Sequence, residues 1–263
     1  MMHLELVTQE PLSASRPTPI LFVHGMWHAA WCWEEHFMPY FAQHGYTVHA
    51  LSLRGHGGSE GRERLRWATV ADYMSDVNQI IEQIGQMPIL VGHSMGGVIV
   101  QKVLESHQAP AAILLASAPH TGLIPTTVRV FLRHPLAVIK ANLTLSMLPV
   151  VCTPSLAQEI LFSAGMPKEQ VQDYFSRLQD ESYCAYVDLL GLNLPRPKRV
   201  KTPLLVLGAA DDNVFAQSET ERMARAYGTQ AEFFPNMAHN MMLEAGWQSV
   251  GDRMLAWLDE RGW

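Results

Sequence analysis

Gly92-His93-Ser94-Met95-Gly96 places a hydroxyl nucleophile between glycines. The apolar run Pro88-Ile89-Leu90-Val91 stands before it, and Val98 to Leu104 follows with helical character. Strand, sharp turn and helix in that order lift a serine Oγ clear of a sheet and present it to a carbonyl carbon. The flanks of such a turn nearly touch, so residues without a Cβ are needed beside the serine. The pentapeptide alone is weak, because at average Gly and Ser content it recurs by chance in roughly one in ten chains of this length. A nucleophilic serine also needs a base, and the base needs a group to orient it. Asp211 follows the apolar run Pro203 to Leu207 in Gly208-Ala209-Ala210-Asp211-Asp212, and His239 follows Ala231 to Phe234 in Asn236-Met237-Ala238-His239-Asn240. Each sits just past the end of a strand, so three loops on one sheet edge can converge. Ser94, Asp211 and His239 are therefore the candidate catalytic residues, with Asp212 as a rival acid or a turn residue.

The elements that must hold these loops alternate along the chain. Strands are expected at Leu4 to Thr8, Ile20 to Val23, Tyr46 to Leu51, into Ser94, at Ala111 to Ala116, Pro203 to Gly208 and Ala231 to Phe234. Helices are expected at Trp33 to Gln43, Thr69 to Ile84, after Ser94, at Gln217 to Tyr227 and at Trp247 to Arg261. Apolar residues at 70, 73, 77, 80, 81 and 84, closed by Gly85, mark the second of these helices. Strands alternating with helices imply an α/β fold with a mostly parallel, doubly wound sheet.

That rhythm stops at Pro119. Up to Arg199 the chain reads as short helices punctuated by prolines, with an apolar stripe at Val171, Tyr174, Phe175 and Leu178. The expected organisation is a core of residues 1–118 and 200–263 with an all-helical lid, 119–199, inserted between two strands. Such an insertion lies at the carboxyl edge of the sheet, where open α/β sheets bind ligands.

Composition narrows the function classes. A net charge of −6 and no basic cluster argue against a nucleic-acid surface. No run of 18 or more apolar residues appears, so no transmembrane segment is expected, and no signal peptide is visible at the start of the sequence. Three widely spaced cysteines, Cys32, Cys152 and Cys184, read as reduced thiols in a cytoplasmic protein. The 12 histidines show no metal-ligand spacing, so no metal and no cofactor are expected.

The set of motifs resembles the serine hydrolases of the α/β-hydrolase fold. It comprises Gly92 to Gly97, His24-Gly25-Met26-Trp27, Arg54-Gly55-His56-Gly57-Gly58-Ser59, the Gly208 to Asp211 turn and Ala238-His239, spread over nearly the whole chain. The nearest groups are the lysophospholipases, monoacylglycerol lipases and small carboxylesterases. The stretch from His24 to Trp33 is also similar to methylesterases and hydroxynitrile lyases. The resemblance implies the fold, the triad, and an oxyanion hole formed by the backbone N–H groups of Met26 and Met95, with Trp27 as an alternative donor. The family's Gly-x-x-Asp spacing favours Asp211 over Asp212. Two departures stand out: the chain before Ile20 is short for two leading strands, and Phe215 stands where many members carry a proline.

The function implied is a carboxylic-ester hydrolase working through an acyl-serine on a small-molecule ester with an apolar acyl group. Trp27, Met147, Phe175 and Met241 are the candidate pocket residues, and oligomeric state is left open. The alternative is a cofactor-free lyase or carbon–carbon bond hydrolase with the same triad, for which Lys140 or Lys168 would be the candidate pocket lysine. His24, His56, Ser59 and His93 read as residues that brace the loops.

Overall fold

The apolar runs that punctuate the chain become the middle of one sheet. A computed structural model describes residues 2–11 and 14–263. Its strands are β1 (Leu6–Gln9), β2 (Ile20–Val23), β3 (Val48–Leu51), β4 (Ile89–His93), β5 (Ala112–Leu115), β6 (Leu204–Ala209) and β7 (Ala231–Phe234). The spatial order is β1-β3-β2-β4-β5-β6-β7, with every neighbouring pair parallel except β1 against β3. Strands β2, β4, β5 and β6 are buried along their whole length. Buried on both faces, they have no reason to alternate polar with apolar residues, which is why they read as unbroken apolar runs. Among the described residues a single strand, β1, precedes β2, in keeping with the short leading segment.

Register decides where the loops go. Val23 pairs with Gly92, and His93 with Leu115. Leu115 pairs with Leu207, and Ala209 with Phe234. The strands therefore end at nearly one level, and the segments starting at 24, 94, 116, 210 and 235 emerge from the same edge.

Helices cover both faces. The helix expected over 33–43 is two, α1 (Trp31–Glu34) and α2 (Phe37–Gln43). Pro39 explains the break, because its ring clashes with the carbonyl four residues back and it has no N–H to donate. α3 (Val70–Ile84) starts at a capping box, in which Thr69 Oγ1 accepts from Asp72 N and Thr69 N donates to the Asp72 carboxylate. It ends at Gly85, whose φ of 78° suits a residue without Cβ. α4 (Met95–Val103) runs down from the Ser94 turn.

Between β5 and β6 the chain forms only helices and turns. These are α5 (Ile124–Arg133), α6 (Pro135–Thr144), α7 (Pro154–Leu161), α8 (Lys168–Ser176) and α9 (Tyr183–Val187), with shorter 3₁₀ and π turns between and after them. α10 (Gln217–Ala226) and α11 (Trp247–Asp259) return the chain to the sheet. The helical segment is fastened to the core at its 179–182 stretch. Gln179 N donates to Trp27 O at 2.8 Å, and Tyr73 Oη donates to Glu181 Oε1 at 2.5 Å. The fully buried His56 Nε2 lies 3.3 Å from Glu181 Oε2. Burial opposes charge on His56, but Glu181 outweighs it and raises the imidazole pKa above its ordinary value. A buried carboxylate without such partners would cost several kcal/mol, so these contacts hold this end of the segment in one place.

Candidate active site

Ser94 has φ 52° and ψ −120°, a conformation that side chains rarely adopt. The surroundings enforce it. Ser94 N donates to Leu115 O at 3.2 Å, and Ser94 O accepts from Gly97 N and Ala118 N, each at 3.0 Å. Strain held in place by its neighbours is a mark of functional sites. The glycines answer to the same crowding. A Cβ on Gly96 would lie 2.3 Å from Val23 O, and one on Gly92 would lie 2.5 Å from Gly96 O. Both obstacles are backbone, so neither can swing aside. Gly96→Ala should destabilise the fold by about 1–3 kcal/mol or more, read as a lower midpoint in urea unfolding with the slope retained. An unchanged midpoint would mean that the elbow is looser than this geometry.

His239 reaches the serine from the loop after β7. Its Nε2 lies 2.9 Å from Ser94 Oγ, and its Nδ1 lies 2.9 Å from Asp212 Oδ2. The acid in contact with His239 is thus Asp212, and the Asp211 expectation is corrected. The physical reason is one extra residue of strand-like pairing. β6 extends to Ala209, and beyond it Ala210 N still donates to Phe234 O and Asp211 N to Met237 O. The turn comes one position later than a count from Gly208 implies, so Asp211 faces solvent and Asp212 turns inward. Asp212 Oδ1 accepts from Val214 N at 2.7 Å and Phe215 N at 3.1 Å, which leaves Oδ2 aimed at the imidazole. Both side chains are nearly inaccessible, 2% for His239 and 4% for Asp212, so little water competes for these bonds.

Three residues outside the triad tie its loops together. His28 Nδ1 donates to Met26 O at 2.7 Å, and its Nε2 accepts from Asn240 Nδ2 at 3.1 Å. His93 Nε2 donates to His239 O at 3.0 Å. Burial pushes His28 down to about 4 and holds His24 and His93 well below the usual imidazole value. Each is therefore neutral at neutral pH and can donate from one nitrogen while accepting at the other. His93 does brace the elbow as its position suggested. His28 and Asn240 were not singled out in the sequence, where the only signal is their adjacency to Trp27 and His239.

Met26, Trp27, Met95, Ser94 and His239 border one cavity, with about 740 Å³ of non-atom space including its open mouth. Met95 is the first residue of α4, whose leading amides lack intrahelical partners. Trp27 sits at φ 66°, and the helical segment holds it there: its carbonyl accepts from Gln179 N, and its Nε1 donates to Met147 O at 3.2 Å.

Of the four expected pocket residues, Trp27 and Met147 line the cavity. Phe175 and Met241 do not, which corrects both. On α8 Tyr174 stacks on Trp31 and Phe162, and Phe175 packs half-buried against the core, so this stripe serves packing. Met241 follows the turn after His239, where its N donates to His239 O, and it is buried in the core. Trp33 likewise stacks on Phe22. The cavity wall comes instead from residues such as Leu123, Val130, Val138, Ile160, Leu189 and Phe215. Phe215, seen in the sequence only as a missing proline, sets its ring 5.3 Å from that of His239. No lysine lines the cavity among the described residues, and both Lys140 and Lys168 are exposed. Among the described residues no group of three His, Cys, Asp or Glu side chains is placed to hold a metal ion.

A model of the alpha/beta hydrolase family matches residues 20–250. Methyl jasmonate esterase 1 of Vitis vinifera is 32% identical over 92 residues, covering 34% of this chain and 34% of the relative. Methylesterase 4 of Arabidopsis thaliana is 30% identical over 115 residues, covering 41% of this chain and 43% of the relative. The chain thus matches well under half the length of these curated relatives. Among solved structures, a monoacylglycerol lipase from Paleococcus ferrophilus superposes with a TM-score of 0.75 at 20% identity, covering 99% of this chain and all of the other. At that identity the likeness is one of fold.

Proposed function

This chain belongs to the alpha/beta hydrolase family, and from that premise we propose that it is a serine-dependent carboxylic-ester hydrolase for an ester with an apolar acyl group. One observation carries the reading: an unbroken hydrogen-bond chain from Asp212 through His239 to Ser94 that ends in an apolar cavity. The fragment-length similarity to methylesterases agrees with it.

Ser94 Oγ attacks the ester carbonyl carbon while His239 Nε2 takes its proton. Asp212 keeps the Nδ1–H tautomer and stabilises the imidazolium that forms. The backbone N–H groups of Met26 and Met95 receive the oxyanion of the tetrahedral intermediate. His239 then returns the proton to the departing alcohol, leaving an acyl-serine. A water molecule deprotonated by His239 releases the acid by the same steps in reverse. No lysine borders the cavity among the described residues, so the lyase alternative, which rests on the Trp27 to Trp33 stretch, has no pocket cation to support it. The free Cys32, Cys152 and Cys184 support a cytoplasmic setting.

Residues 119–199 act in this reading as a lid whose inner faces set acyl specificity, through Val130 on α5, Val138 on α6 and Ile160 on α7. Each CH₂ buried there contributes about 0.8 kcal/mol. In a series of p-nitrophenyl esters, two added carbons should raise kcat/KM by up to roughly 15-fold until the cavity is full, and then no further. Ile160→Phe should bring that plateau to a shorter chain. A profile flat from acetate to octanoate, and indifferent to Ile160→Phe, would sink the apolar-acyl assignment.

A further inference from the structure

Among the described residues ten large hydrophobic side chains are exposed, and seven of them lie on α5 and α6. On α5 they are Ile124, Val128, Phe131 and Leu132, spaced as one helical face; on α6 they are Leu136, Ile139 and Leu143, again one face. Leu132, Leu136 and Leu143 are 75%, 80% and 81% exposed, far beyond the scattered apolar residues of an ordinary surface. The opposite faces of the same helices, with Thr127, Val130, Val138 and Ala141, line the active-site cavity. Both helices are therefore apolar on two sides, and only one side is covered.

Charge says what covers the other. The chain carries −6 overall, yet residues 119–158 contain Arg129, Arg133 and Lys140 and no Asp or Glu. Arg129 is committed to Glu219 at 2.6 Å. Arg133 and Lys140 are exposed, and neither enters an ion pair among the described residues. An exposed aliphatic face with two cations outside ion pairs, and with the neighbouring acid Glu159 held by His134 at 2.8 Å, matches an anionic lipid surface. A second copy fits less well, because a two-fold pairing of this face would bring like charges together. A protein partner fits less well too, since anchoring sites favour Trp, Tyr and Arg, whereas this face is mostly Leu, Ile and Val.

We propose that the outer face of α5 and α6 docks on an anionic lipid surface, so that two helices alone separate the bilayer from the active-site cavity. Docking depends on neither the triad nor the ester reading, so the test reads binding and not turnover. The full chain is sedimented with vesicles of phosphatidylcholine plus phosphatidylglycerol and, separately, of phosphatidylcholine alone. Ser94→Ala is run in parallel and should bind as the parent does, which separates this result from the fate of the ester mechanism. Binding is expected to the mixed vesicles and to weaken with added salt. Arg133→Gln with Lys140→Gln should weaken it about fivefold for each cation removed. Leu132→Ser, Leu136→Ser and Leu143→Ser combined should weaken it at least tenfold. None of these side chains lines the cavity, so each variant should keep the parent's rate on a short soluble ester, which also verifies folding. No binding, equal binding to pure phosphatidylcholine, or binding that survives the triple leucine change would overturn the proposal. So would a lipid-free dimer, seen by sedimentation velocity, that the leucine changes dissolve.

Discussion

Ser94→Ala should lower kcat on a soluble p-nitrophenyl ester by about 10⁴- to 10⁶-fold while leaving the unfolding midpoint close to that of the parent. The loss is large because the hydroxyl is the atom that bonds to the acyl carbon, and among the described residues no other nucleophile is hydrogen-bonded to His239 Nε2. What activity remains would come from the oxyanion donors and from binding alone. The fold should be indifferent, since the turn is held by backbone bonds from Leu115, Gly97 and Ala118 rather than by Oγ. A fluorophosphonate should add its mass to the parent at Ser94 and nothing to the variant. Hydrolysis by the alanine variant at the parent's rate, or labelling at another residue, would remove Ser94 from the mechanism.

Asp212→Asn should cost about 10⁴-fold in kcat, whereas Asp211→Asn should cost no more than a few-fold. An asparagine at 212 keeps the size of the side chain and can still accept from Val214 N and Phe215 N through its oxygen. Its NH₂ group then faces His239 Nδ1, which must become an acceptor. The ring proton moves to Nε2 and points at Ser94, so the base is lost although the geometry survives. Asp211 is exposed and has no part in that chain of bonds. A larger loss at 211 than at 212 would show that the loop rearranges before reaction and that the resting contact misleads.

How far the site could be read in advance follows from the range of the forces involved. The strand before Ser94 and the glycines around it obey local rules. Gly92 and Gly96 are dictated by backbone atoms that any such turn brings together, so the elbow is legible from five residues. The strands β2, β4, β5 and β6 are legible for a related reason, since a strand buried on both faces must be apolar at every position. The apolar spacing from 70 to 84 and the stop at Gly85 framed α3 in the same way, whereas its capping box at Thr69 is seen in the structure. The single helix expected over 33–43 breaks for a local reason, since Pro39 has no N–H for the carbonyl four residues back and its ring clashes with it.

Other features have no local signal. The choice between Asp211 and Asp212 turns on whether pairing between the β6 and β7 loops ends at Ala209 or continues to Asp211, and that is settled by Phe234 and Met237, more than 20 residues away. Phe175 belongs to an amphipathic helix, but amphipathicity states only that one face is covered; Trp31 and Phe162, not a substrate, cover the α8 face. The bonds of His28 to Asn240 and of His93 to His239 join residues 212 and 146 positions apart.

What the amino-acid sequence determined by itself is the order of strands and helices, the serine on its strained turn, the histidine after the last strand, and the presence of a helical segment between β5 and β6. Each follows from steric limits and hydrophobic periodicity, which act over a few residues. Tertiary structure alone decided which of two adjacent carboxylates meets His239, which apolar residues face the cavity, and that α5 and α6 keep an uncovered apolar side. Those outcomes depend on which surfaces meet across the sheet edge, and distances of 3 Å between remote side chains are set only when the whole core has packed.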